Sequence, residues 1–157
     1  MDTKDKLFIS YYHGKNYEFN YWHKKEYEYI TKFKELCSNI FDVETSSSKK
    51  NKKIHIKNSI ATIVLVGNET SKQKYINSEI KSNSSQAVIS LVLPTYENRK
   101  HSFFNEFGRV KLENSNYSID QNDIPQTIRE KTKNGITKIY DWSEDINYLK
   151  TLIYNTD

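Results

Sequence analysis

Short apolar runs rich in β-branched residues punctuate the chain, and a stretch of helical spacing follows most of them. The clearest run is Ala61–Val66, closed by Gly67. Its apolar residues are nearly consecutive rather than alternating, which fits a strand buried on both faces of a parallel sheet. Lys6–Ser10, Asn39–Val43, Ala87–Leu93 and Ile136–Tyr140 read the same way. From Phe19 to Cys37 the positions Phe19, Trp22, Tyr29, Ile30, Phe33, Leu36 and Cys37 share one helix face, with Glu26 interrupting the stripe. Ile76 and Ile80 mark a second helix that starts at Thr70 or Ser71 as N-cap and ends near Ser82. Asp123, as N-cap before the early Pro125, opens a third, which Asn134 and Gly135 stop. Ser143 caps a fourth, with Glu144 and Asp145 in its first turn and Ile146, Leu149, Leu152 and Ile153 turned inward. Between the second and third runs, Thr45–Lys53 reads as a polar loop and Ile54, Ile56 and Ile60 as a helical turn. Residues 95–121 carry no period that assigns them.

Strands alternating with helices pair in parallel through right-handed crossovers. The expected fold is α/β: a flavodoxin-like, doubly wound sheet of five mainly parallel strands with helices on both faces. A length of 157 residues suits one domain, spanning 1–157, and no internal repeat or linker divides it. Ligands of such sheets sit at the carboxyl ends of the strands, at the switch point. The sequence is expected to put Ser10–His13, Asp42–Glu44, Gly67–Thr70 and Pro94–Thr95 there.

Composition narrows the function classes. A single cysteine, Cys37, excludes a disulfide framework and an all-cysteine metal site, and it reads as a buried, inert thiol. The longest apolar run is too short to span a bilayer, and Met1–Lys6 leads into no signal-peptide core, so a cytoplasmic location is expected. The net charge is +4, but of 24 basic residues only Arg99, Arg109 and Arg129 are arginine, which argues against base-specific nucleic-acid contacts. The Lys-rich stretch Lys49–Lys57 reads as a solvated loop. Glycine-rich phosphate loops, zinc patterns and a serine-nucleophile elbow are absent, and His13, His23, His55 and His101 are too widely spaced to pair on one helix. No metal is expected.

One segment stands out. After Gly67, the helix carries Tyr75 and Glu79 at i, i+4, so a ring and a carboxylate share the edge of the face that Ile76 and Ile80 turn to the core. Spacing alone describes ordinary amphipathicity. The segment nevertheless resembles the third strand and the Ser/Thr…Trp-x-x-x-Glu helix of TIR-like domains, with Tyr75 where the family usually has Trp. Ser10-Tyr11-Tyr12-His13 is similar to that family's opening motif, and Ile124-Pro125 and Lys138–Trp142 look like its ThsB-type subgroup, which belongs to the Thoeris antiphage system. The resemblance covers most of the chain.

The resemblance implies an enzyme that cleaves the nicotinamide–ribose bond of NAD, with Glu79 catalytic. Ser10, Tyr11, Tyr12, Asp42, Ser71 and Tyr75 would bind the substrate. NAD is then substrate rather than cofactor, and no cofactor is expected. The product would be an ADP-ribose-type messenger reaching a separate effector, and the domain is expected to self-associate. Two other readings stay open: an inactive TIR-like interaction module, suited by the abundance of tyrosine, and a flavodoxin-like domain holding another phosphorylated ligand at the helix that follows Gly67. No membrane partner is expected, and a nucleic-acid partner is disfavoured.

Overall fold

The computed structural model describes residues 3–12, 21–45, 58–72, 74–82, 87–102, 107–133 and 138–154. The polar loop beyond Thr45, the helical turn at Ile54 and Ile56, and the stop at Asn134-Gly135 lie outside these residues, as do His13 and the Lys49–Lys57 stretch.

The strands of the main sheet are β1 (Lys6–Ser10), β2 (Asp42–Thr45), β3 (Ala61–Val66), β4 (Ala87–Val92) and, late in the chain, β8 (Ile139–Asp141). They lie in the order β2-β1-β3-β4-β8, and every neighbouring pair is parallel. Counted along the chain this is the 2-1-3-4-5 order of the flavodoxin-like fold, as expected. The helices are α1 (Tyr21–Ser38), α2 (Lys74–Ser82), α3 (Gln126–Lys133) and α4 (Ile146–Tyr154).

Side chains alternate across β3 and so divide the interior into two cores. Ile63 and Leu65 join Ile30, Phe33 and Cys37 of α1 and Leu149 and Ile153 of α4 on one face. Val64 and Val66 join Ile76 and Ile80 of α2 and Ile128 of α3 on the other. Trp142 closes the first core, its ring 5.0 Å from that of Phe33. Burial pushes the Cys37 thiol up to about 12, which keeps it protonated.

Several boundaries differ from the sequence reading. The second strand begins at Asp42, not Asn39. α1 runs on to Ser38, and the amides of Ile40 and Phe41 both donate to the Cys37 carbonyl, so 39–41 form its closing turn. The last strand is Ile139–Asp141, with Ile136 outside the described residues. Thr70 does not cap α2: it sits in a 3₁₀ turn, Thr70–Lys72, ahead of the helix. Asp123 is likewise in a 3₁₀ turn, Gln121–Asp123, where its carboxylate accepts from Tyr96 Oη at 2.6 Å. The second amide of α3, Thr127 N, donates instead to Asn77 Oδ1 on α2. Asp145, not Ser143, accepts from the first amides of α4, Asn147 N and Tyr148 N.

The unassigned segment holds a second sheet. Strands β5 (Lys100–His101), β6 (Arg109–Lys111) and β7 (Tyr117–Asp120) pair antiparallel in the order β5-β7-β6. Arg109 ties it together, its guanidinium donating to the carbonyls of Asn98 and Ser118 at 2.7 and 2.8 Å. Gly108 stands at φ +86 before β6, in the left-handed region that favours glycine.

Candidate functional site

In the 2-1-3-4-5 order the switch point lies between β1 and β3. The chain leaves β1 for α1 on one face and leaves β3 for α2 on the other, so their carboxyl ends are where the topology of such sheets locates a ligand crevice. The turn after β3 is held by one hydroxyl. Thr70 Oγ1 accepts from Gly67 N at 2.7 Å and donates to the Leu65 carbonyl at 3.3 Å. Asn68 links this turn to the loop after β4, donating to the Thr95 carbonyl and accepting from Glu97 N.

The third contributor is a residue that the sequence reading noted only as a flaw in a stripe. Glu26 of α1 is 4% exposed, and its carboxylate packs against Gly67 where a side chain would otherwise stand. Burial, with Glu69 adding to it, pushes the Glu26 carboxyl up to about 7. Tyr12, just past β1, is also raised, by burial first and then by Glu69 and Glu26. Glu26 and Glu69 thus act on each other's neighbourhood from two segments of chain, with the Tyr12 hydroxyl beside them. Lys72 approaches Glu69 at 3.8 Å, but it is largely solvated and screens it little.

The expected site residues are distributed unevenly. Ser10 is wholly buried at the end of β1, in register with Val64 and so on the α2 face. Tyr11 turns into the first core, where Lys34 Nζ donates to its hydroxyl at 3.2 Å. Tyr12 reaches the crevice. Asp42 does not: it pairs with Lys6 at the amino end of the sheet and is exposed, about 13 Å of strand away. The expectation failed there because the closing turn of α1 delays β2. Ser71 is half-buried in the 3₁₀ turn. Tyr75 lies in the first turn of α2, its side chain outside the described residues.

Glu79 is 3% exposed, on the face of α2 that meets the sheet. Helical spacing sets Asn77 and Glu79 on opposite flanks of the Ile76–Ile80 stripe. Asn77 faces α3, so Glu79 takes the flank toward β1, on the face that carries Ser10. Glu26 and Glu79 thus belong to helices on opposite faces of the sheet, on either side of the switch point.

Among the described residues no three His, Cys, Asp or Glu side chains are grouped to hold a metal, and no helix is long and apolar enough to cross a membrane. A cavity of about 420 Å³ lies beside α3, lined in part by Val110, Ile124 and Arg129. It borders the Gln121–Asp123 turn, which touches the Thr70–Lys72 turn after β3.

The fold defines a flavodoxin-like α/β protein, with Glu26 and Glu69 near its switch point among the described residues. No protein-family model matches the chain, and no curated protein matches it either.

Proposed function

We propose that the chain is a TIR-like enzyme that cleaves the nicotinamide–ribose bond of NAD, giving nicotinamide and an ADP-ribose-type signal in cytoplasmic antiviral defence. The observation that carries this reading is Glu79: a carboxylate 3% exposed on the helix that follows β3, on its β1 flank. Burying a carboxylate is costly, which favours a functional reason for keeping one there.

The reaction needs little else. The C1′–N bond breaks with its electron pair passing to the ring nitrogen, so the positively charged nicotinamide leaves neutral and needs no general acid. The ribose is left as an oxocarbenium ion, which a water or a nucleophile within the same molecule captures. A carboxylate beside the ribose stabilises that developing charge in a site shielded from water. Glu79 takes that role here, with Ser10 from β1 on the same face. Both Glu79 oxygens are shielded from solvent in this arrangement, so substrate enters only when the flank of α2 opens. Self-association of the domain supplies that opening in this reading.

The test is incubation of the purified chain with NAD in H₂¹⁸O, alone and with lysate of infected cells, followed by mass spectrometry. Release of nicotinamide that disappears in Glu79→Gln supports the enzyme. ¹⁸O in the co-product then marks hydrolysis, and its absence marks cyclisation. A folded protein without turnover under both conditions removes the reading and leaves the interaction module.

A further inference from the structure

α1 spends its inward positions on Ile30, Phe33 and Cys37, all wholly buried. One turn closer to its amino end it buries Glu26 nearly as deeply. Among the described residues no hydrogen bond or ion pair holds this carboxylate. It is aimed past the end of β3 at Gly67, and a Cβ there would overlap Glu26 Oε1 and lie 3.3 Å from Leu93. The packing therefore leaves a glycine where the carboxylate needs room.

Among the described residues, the charged group that acts on Glu26 is a second carboxylate, Glu69. Glu69 comes from the β3–α2 turn, and it and Glu26 both act on the Tyr12 hydroxyl just past the end of β1. Lys72 is turned to solvent beside Glu69, and Lys25 pairs with Glu28 on the exposed side of α1. Among the described residues this buried carboxylate has no counter-charge and faces a second carboxylate, an arrangement that favours a cation.

We propose that the switch-point crevice receives the positively charged end of the ligand, an organic cation of the pyridinium class, and that Glu26 is the residue that selects it. The inference rests on the NAD reading for the ligand's identity, though not for the chemistry of the crevice. In that reading the cation is the nicotinamide ring. Its charge vanishes when the glycosidic bond breaks, so Glu26 distinguishes substrate from product and helps the product to leave. Interaction with the ground-state cation governs binding more than chemistry, so Glu26→Gln raises KM and leaves kcat largely in place. The proton that Glu26 holds near neutral pH is released as the cation enters.

The test uses 1-methylnicotinamide, a permanent cation, against nicotinamide, the same ring without charge. Both are titrated calorimetrically into the full chain at pH 7, in two buffers of different ionisation enthalpy. The wild type is expected to prefer the cation about tenfold, with proton release, on the scale of one well-placed charge contact. Glu26→Gln keeps shape and fold, checked by circular dichroism, and is expected to bring the ratio near one and to end proton release. An equal ratio in both proteins, or no binding of the cation to the wild type, overturns the proposal. Cation preference without NAD cleavage upholds it while the NAD reading falls. NAD cleavage with an unchanged KM in Glu26→Gln does the reverse.

Discussion

The carboxylate of Glu26 fills the space that a side chain on Gly67 would need. One residue lies in α1 and the other at the end of β3, so the contact pins the first helix against the switch point. Gly67 is fixed here by close approach, not by an unusual backbone angle.

Gly67→Ala is therefore expected to destabilise the protein by about 1–3 kcal/mol, the usual range for overpacking. Adding Glu26→Ala should recover part of that loss, because the two side chains compete for one space. Urea unfolding of the two single variants and the double variant checks this. Strictly additive losses would show that the two positions do not touch.

Stability should depend on pH through Glu26. Its carboxyl moves from 4.5 to about 7 on folding, so between those values the folded state binds more protons than the unfolded chain. The Glu26 contribution is therefore most favourable below about pH 4.5, falls as pH rises, and is fully lost above about 7. The change is on the order of 3 kcal/mol across that window. Glu26→Gln should flatten this part of the profile and be more stable than the wild type at pH 8. Melting temperatures of both proteins from pH 5 to pH 8 measure it.

Asp141 at the end of β8 accepts from Arg99 Nη2 and from Trp142 N, both at 2.8 Å. Arg99 also donates to the Leu93 carbonyl, so the pair joins the ends of β4 and β8. Its side chains are 19% and 25% exposed, which makes it stronger than a surface ion pair. Asp141→Ala is expected to cost about 1.5–3 kcal/mol, as for a lost hydrogen bond to a charged group. Asp141→Asn, which keeps an acceptor, should cost less. Denaturant midpoints of the two variants rank them.

The parallel sheet was legible because β3 and β4 are apolar runs closed by Gly67 and Pro94, which fit strands buried on both faces, and because helical patterns alternate with the strands. The start of β2 was misplaced because Phe41 is apolar for packing, not for pairing: it follows the turn of α1 and drops into the first core. The small sheet escaped notice because β5, β6 and β7 have two to four residues each, too few for a period to appear. Its main tie, Arg109, makes contacts that no local pattern announces. The place of Glu79 beside the inward stripe of α2 was legible from helical spacing, and that of Asp42 was misread for the reason that misplaced β2. Glu26 left a trace, a charge in an apolar stripe, and Gly67 left another. Their meeting depends on the crossing of α1 over the end of β3, which is a tertiary fact. Tyr12 and Glu69 join for the same reason.

The most direct measurement is the rate of nicotinamide release from NAD by the wild type and by Glu79→Gln, in the presence of infected-cell lysate. The account predicts turnover by the wild type and a loss of about 10²–10³-fold or more in the variant, the scale of removing one group that stabilises transition-state charge. Unfolding curves of the two proteins should show that both are folded. Equal rates would contradict Glu79 as the catalytic carboxylate, and no release by a folded wild type would contradict the enzyme itself.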